Sequence, residues 1–316
     1  MVTLSDVQAA LGRIRDQIYL SPCARSETLS RLTGTHAFLK LENLQMTGAY
    51  KERGALNKLL QLPAADPARG LIAASAGNHA QGVAYHGGRL GLAVTIVMPE
   101  TTPIMKVANT RAHGARVILH GANYDEAHTE ARRLEAAEGL TFVHPFDDAA
   151  VIAGQGTIGL EILEQVPDVE AVLVPVGGGG LASGLGVALK EQRPSLRLIG
   201  VEAAAIACMK AALEMGQPVT LEPAPTLADG IAVKRAGDLT FQHVRRYVDE
   251  IVTVTEEEIA SAILYCLEKE KTVAEGAGAA SVAALMHHKA AGLEGFTLPA
   301  IPAGLHPLED LEQIGG

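Results

Sequence analysis

Aromatic side chains are scarce in this chain: Phe, Tyr and Trp make up 3% of 316 residues, and tryptophan is absent. A core without large rings must be assembled from Ala, Val, Leu and Ile, within a hydrophobic total of 48%. Such small side chains suit parallel sheets covered by close-packed helices. Cysteine is also rare. Cys23, Cys208 and Cys266 stand far apart and form no C-x-x-C or zinc spacing, so they are expected to be reduced thiols of a cytoplasmic protein. Basic excess is missing too. The formal net charge is −10 and the pI near 5.6, which excludes a nucleic-acid partner. The start, Met1 to Asp6, has neither a basic nor an apolar signal region. One uncharged run, Ala171 to Leu189, raises the question of a membrane span. Pro175 and Gly177 to Gly180 split it into strand and helix, so no membrane partner is expected. No H-E-x-x-H or comparable spacing suggests a metal, and no G-x-S-x-G elbow suggests a hydrolase.

What is present is alternation of strand-like and helix-like segments. Leu92 to Met98 is an apolar run closed by Pro99, as befits a buried strand. A helix around Met105 to His113 ends at Gly114, and Arg116 to Leu119 is the next strand. Asn123 caps a helix to about Glu138, with Asp125 and Glu126 in its first turn. Leu140 to Val143 is a strand and Ile152 to Val166 a helix. Ala171 to Val176 and Leu196 to Val201 are strands on either side of a helix from Leu181 to Gln192. Thr255-Glu256-Glu257-Glu258 is a capping box opening a helix to about Lys271. This β-α-β order predicts an α/β fold with parallel sheets and helices on both faces. No flexible linker separates two halves, so a second domain is expected to be inserted in the first.

Four segments could carry chemistry. In Thr47-Gly48-Ala49-Tyr50-Lys51-Glu52-Arg53-Gly54-Ala55, small residues and an aromatic flank a lysine. That suits either a solvated surface charge or an amine desolvated at a helix start, which would be nucleophilic. Ser75-Ala76-Gly77-Asn78-His79-Ala80-Gln81-Gly82 follows the apolar Leu71 to Ala74. Strand, polar loop and helix start aim N–H groups at an anion, carboxylate or phosphate; a purely structural cap at Ser75 or Asn78 is the alternative. Gly177-Gly178-Gly179-Gly180-Leu181 again joins strand to helix. Four consecutive glycines are entropically costly and make sense if successive N–H groups wrap a phosphate. They match neither a Walker loop nor G-x-G-x-x-G. The fourth segment, Val273 to Ser281, holds Glu275 at a helix start, where capping is the default reading. His79 and His86, His287-His288, and Asp147-Asp148 after His144-Pro145-Phe146 have ordinary packing, surface or capping readings.

In this order and spacing the four segments resemble the serine/threonine dehydratase family of fold-type-II pyridoxal-phosphate enzymes, threonine ammonia-lyases most of all. The resemblance runs from about Tyr19 to Leu285. It includes Lys40-Leu41-Glu42-Asn43-Leu44-Gln45, Ile152-Ala153-Gly154-Gln155-Gly156-Thr157 and Leu227-Ala228-Asp229-Gly230-Ile231-Ala232-Val233. It implies two three-layer α/β/α domains, a large one of residues 1–47 and 145–316 and a smaller insertion at 48–144, with the site between them. It implies pyridoxal 5'-phosphate as cofactor, Lys51 as the Schiff-base lysine with Tyr50 beside it, and Asn78 at the ring hydroxyl. Gly177, Gly178, Gly179 and Gly180 with Leu181 would cup the phosphate, and Glu275 would lie near the ring. Ser75, Ala76, Gly77, Asn78 and His79 would clamp the substrate carboxylate. The implied reaction turns threonine into 2-oxobutanoate and ammonia, or serine into pyruvate, in a homo-oligomer, dimer or tetramer. A β-replacement enzyme and a non-catalytic scaffold are the alternatives.

Three departures from the family pattern stand out. Ala76 replaces the serine that racemases of the family use as a base, and a methyl group relays no proton. After Glu202, Ala203 to Cys208 lack the aspartate of metal-binding relatives, which argues against a hard cation. The family pattern also ends in a buried strand and a Ser/Cys-Gly-Gly-Asn turn facing the pyridine nitrogen. Here Gly295 to Gly304 contains Pro299 and Pro302, a poor central strand, followed by an acidic tail. The expectation is a truncated or frame-shifted C-terminus without a regulatory domain.

Overall fold

The computed structural model describes residues 1–62, 70–302 and 304. Ala303 and the acidic tail after Gly304, part of the atypical C-terminal stretch, lie outside the described residues. From the amino terminus come α1 (Leu4–Ile14), β1 (Cys23–Arg25), α2 (Glu27–Thr33), β2 (His36–Lys40) and α3 (Lys51–Leu59). Next are β3 (Leu71–Ala74), α4 (Asn78–Arg89), β4 (Val94–Met98), α5 (Ile104–Ala112), β5 (Arg116–Leu119), α6 (Tyr124–Glu138) and β6 (Thr141–Phe142). Then come α7 (Ala149–Gln165), β7 (Ala171–Pro175), α8 (Gly180–Lys190), β8 (Arg197–Ala203), α9 (Cys208–Met215) and α10 (Asp238–Tyr247). The last are β9 (Glu250–Val254), α11 (Glu256–Glu268), α12 (Gly276–Met286) and β10 (Thr297–Ala300).

Local chemistry sets many of the boundaries. The Asn123 side chain accepts the amides of Asp125 and Glu126 to open α6, and Gly139 closes it at φ 67°. Thr255 and Glu258 form the reciprocal capping box of α11. That helix ends at Glu268, shorter than its polar pattern suggested, and Lys271 just beyond it has φ 56°. Asp148 caps α7, as its place before the helix predicts.

The strands form two sheets, ordered β1-β2-β10-β7-β8-β9 and β5-β4-β3-β6. Every pairing is parallel except β1 with β2. Alternation along each strand splits the core in two, because successive side chains point to opposite faces. Leu173, Ile199 and Val201 face α11 and α12, while Val172, Val174 and Leu198 face α7, α8 and α10. In the smaller sheet Leu71, Ala73 and Ile96 pack under α3 and α4, and Ile72, Ala74 and Val97 under α6. Both units are three-layer α/β/α sandwiches. Small residues let their helices touch: a Cβ on Gly156 of α7 would stand 2.8 Å from the Gly184 carbonyl of α8.

The C-terminal stretch corrects one expectation. Despite Pro299, β10 lies in the middle of the larger sheet, paired from Thr297↔His36 to Ala300↔Leu39 with β2. The reason is orientation. Thr297 bonds Glu170 at the β7 side through both its N–H (2.9 Å, to the carboxylate) and its carbonyl (2.8 Å). Pro299, two residues on, turns its nitrogen the same way. There the pairing is reduced to Ala300↔Leu173, so the missing N–H breaks no ladder bond with β2.

Three candidate segments follow the carboxyl ends of parallel strands or open helices, where α/β proteins place their sites. Ser75 to Gly77 joins β3 to α4, Val176 to Gly179 joins β7 to α8, and Lys51 begins α3.

Candidate active site

Lys51 is the first residue of α3, and no side chain caps that helix. Its first turn is held from other directions. The Glu52 carboxylate accepts the Thr47 amide (2.8 Å) and hydroxyl (2.9 Å). Helix α4 approaches so closely that a Cβ on Gly82 would sit 3.1 Å from the Glu52 Cα. Lys51 Nζ donates to the Pro145 carbonyl at 2.9 Å and lies 5.5 Å from the centre of the Tyr50 ring. Burial lowers the Lys51 pKa to about 8, against the opposing pull of the Glu275 charge. Burial and the same carboxylate push the Tyr50 phenol up. Lys51, Tyr50 and Glu275 therefore share one electrostatic neighbourhood.

The glycine run is enclosed. A Cβ on Gly178 would meet the Phe146 ring at 2.5 Å, and one on Gly177 the Ile231 Cα at 2.9 Å. Gly179 has φ +93°, a left-handed backbone that only glycine takes without strain. Among the described residues no acceptor meets the amides of Gly177, Gly178 or Gly179, although all three are buried. Buried amides are normally paired, and unpaired ones at the start of α8 have the chemistry to suit an anion. Leu181 contributes differently from the glycines, because its side chain packs in the core below the loop. Only its backbone can face the site.

Glu275 stands at the N-cap position of α12 but makes no cap hydrogen bond. The capping reading fails because its Oε1 accepts from Asn78 Nδ2 at 2.8 Å, across 197 residues of sequence. Ser75, Ala76 and Gly77 form the half-buried turn into α4, with the Gly77 amide on Ser75 Oγ at 3.2 Å. The His79 Nε2 donates to the Val143 carbonyl at 2.9 Å. Burial depresses its pKa to about 3, so the ring stays neutral. Its Nδ1 is buried and meets no partner among the described residues.

Comparison with known proteins decides the family. The family model described as "Pyridoxal-phosphate dependent enzyme" matches residues 14–296. The chain belongs to that family. An L-threonine ammonia-lyase of Thermotoga maritima is 53% identical, over 91% of this chain and 72% of the relative. A catabolic L-threonine dehydratase of Escherichia coli K12 is 44% identical, over 91% of this chain and 88% of the relative. The solved processed form of threonine deaminase isoform 2 from Solanum lycopersicum superposes with a TM-score of 0.93 at 38% identity, covering 99% of this chain and 91% of that one. For a pyridoxal-phosphate dependent enzyme the site is well suited. Orphaned glycine amides match a phosphate, and a low-pKa amine matches an aldehyde.

Sequence reasoning missed the segment that joins these parts in this pyridoxal-phosphate dependent enzyme. His144 Nδ1 accepts the amides of Phe146 (3.2 Å) and Asp147 (2.7 Å). The bent loop presents the Pro145 carbonyl to Lys51 and lays Phe146 on Gly178 and Gly180. Asp147, read as a local cap, instead caps the distant α10 through the amides of Asp238, Leu239 and Thr240. Burial keeps the His144 pKa down at about 4, which preserves the lone pair that both amides need. The available signal was position: the loop directly follows β6, at the carboxyl edge of a parallel sheet.

Proposed function

We propose that this protein is a threonine ammonia-lyase. It eliminates water across Cα–Cβ of L-threonine, and the enamine product takes one water back on hydrolysis to give 2-oxobutanoate and ammonia, with L-serine giving pyruvate. The observation that carries the reading is that one short segment links a desolvated amine to buried acceptor-free amides: the Pro145 carbonyl meets Lys51, and Phe146 packs on the Gly177 to Gly180 loop. The similarity to threonine ammonia-lyases and dehydratases over most of the chain supports the substrate.

Bound pyridoxal phosphate supplies the electron sink that delocalises the charge left when a Cα proton departs. The remaining work falls to side chains and amides. Gly177 to Gly180, with the Leu181 amide, hold the phosphate. Lys51 would hold the cofactor and, as a free amine, would take the Cα proton at Nζ, where a pKa near 8 leaves a useful neutral fraction. The amides of Ser75 to His79, at the positive end of α4, hold the substrate carboxylate. Asn78, oriented by its bond to Glu275, would meet the ring hydroxyl, and Tyr50 flanks the lysine. Ala76 itself has no hydroxyl to return a proton, which favours elimination over racemisation.

Residues 48–144 form the smaller inserted domain in this reading, consistent with a smaller sheet built only from β3 to β6. Three free cysteines support a reducing, cytoplasmic setting, and a homo-oligomer, dimer or tetramer, is expected from size-exclusion chromatography with light scattering. The deciding assay is steady-state ammonia release from a panel of β-hydroxy amino acids. Borohydride is expected to fix the cofactor to the Lys51 peptide; a label on another lysine overturns the assignment.

A further inference from the structure

The segment Lys40 to Gln45 belongs to the family resemblance, yet its charged members turn away from the site. Lys40, Glu42 and Arg53 are 0% exposed, and Glu161 of α7 is 6% exposed. Together these two cations and two anions form a cluster without net charge. Arg53 Nε and Nη2 reach Glu42 at 2.8 Å each, and Nη1 and Nη2 reach Glu161 at 2.6 and 2.9 Å. Nη1 also meets Thr157 Oγ1 at 3.1 Å. All of the guanidinium's N–H groups, about five in number, are thus spent. Lys40 Nζ is saturated as well, on Ser21 O (2.7 Å), Glu161 Oε2 (2.6 Å) and Gln165 Oε1 (3.0 Å).

Arg53 follows Lys51 by two residues on α3. At about 100° per residue, their side chains leave the helix on nearly opposite sides. One faces the cofactor site; the other is locked in a double fork. A roll of about 10° in α3 would carry Nζ, at the end of a long side chain, by about 1 Å. Misplacement on that scale costs about a hundredfold in rate. Close packing leaves no slack on this flank: a Cβ on Gly154 of α7 would stand 2.7 Å from the Arg53 carbonyl.

We propose that Arg53, held by Glu42 and Glu161 with Lys40 as the balancing cation, is the positioning residue for Lys51, fixing the roll of α3. The inference rests on the reading of Lys51 as the cofactor's lysine. Arg53→Lys keeps the charge and loses the fork. In the cofactor-loaded protein it is expected to lower kcat about tenfold or more, with KM within about threefold. The visible circular dichroism of the bound cofactor is expected to lose at least about half its amplitude while the far-ultraviolet signal stays, since chromophore orientation follows the lysine. A lower melting temperature with unchanged visible dichroism and kcat would show a merely structural cluster and overturn the proposal. If Arg53→Lys does not fold, Thr157→Val removes a single acceptor from Nη1 at nearly constant volume. Its expected drop in kcat is about two- to fivefold, and wild-type kcat and dichroism would sink the idea. Absence of borohydride label from Lys51 in the unsubstituted protein would instead remove the underlying assignment, so the two failures are separable.

Discussion

Gly178→Ala tests the glycine loop most directly. The new methyl would lie 2.5 Å from three carbons of the Phe146 ring, about 1 Å inside ordinary carbon contact. Phe146 cannot swing aside freely, because its amide is held by His144 and its Cβ faces Gly180. Overpacking of this kind costs about 1–3 kcal/mol. For a chain of this size that lowers the melting temperature by several degrees, roughly 2–4 °C per kcal/mol. The loop yields by moving its amides away from the phosphate position. Losing one hydrogen bond to a charged group, about 1.5–3 kcal/mol, raises the Kd for pyridoxal phosphate roughly ten- to a hundredfold. Fluorescence titration of cofactor-free protein reads the Kd, and scanning fluorimetry reads the melting temperature. Phe146→Ala combined with Gly178→Ala removes the clash and is expected to recover most of the affinity. Wild-type affinity in Gly178→Ala, or no recovery in the pair, would refute the claim that these amides and this ring define the cradle.

Lys51 should capture cofactor faster as pH rises, because only the neutral amine attacks. With a pKa of about 8, the neutral fraction and the stopped-flow rate rise about tenfold between pH 7 and 9. Since the folded pKa lies below the ordinary lysine value of 10.5, the unfolded chain holds more protons between those two values, so this group makes cofactor-free stability rise with pH there; Lys51→Met should abolish that contribution in urea titrations. The Glu275 charge opposes the shift at Lys51, so Glu275→Gln should move the capture midpoint to lower pH, and a shift upward would contradict the geometry. His144→Ala strips two amides of their acceptor and should cost about 1–3 kcal/mol by chemical denaturation. The folded His144 pKa is lowered to about 4, so its stabilisation is lost as pH falls from about 6.5 towards 4; the variant should show a flatter slope across that window.

Much of the fold was legible because its cues are local. The Asn123 cap, the Thr255–Glu258 box and the glycine break after β7 are all written within a few adjacent residues. Lys51 and the glycine run were also visible, by position relative to predicted elements and by family likeness. Glu275 was only half legible: its place at a helix start is local, but its partner Asn78 is distant, and the partner decides the chemistry. Asp147 misled in the same way, capping α10 rather than its own neighbourhood. Pro299 was misread because the tolerance of a strand for proline depends on which neighbour its nitrogen faces, and strand order is a tertiary fact. The purpose of Lys40 and Glu42 was hidden for the same reason, since their counter-charges come from α3 and α7.

The place of β10 has a consequence for how the molecule assembles. It is the last strand among the described residues, yet it sits between β2 and β7. Until it arrives, the antiparallel pair of β1 and β2, joined through α2, has no edge to join on the β7-β8-β9 ribbon, and the larger layer waits as two unsealed pieces. The smaller layer uses only β3 to β6, and its longest closure, Leu71↔Thr141, spans far less chain than Thr297↔His36, so its loop-closure cost is the lower. A chain emerging from the ribosome would thus hold one finished lobe while the other stays open for a keystone laid last.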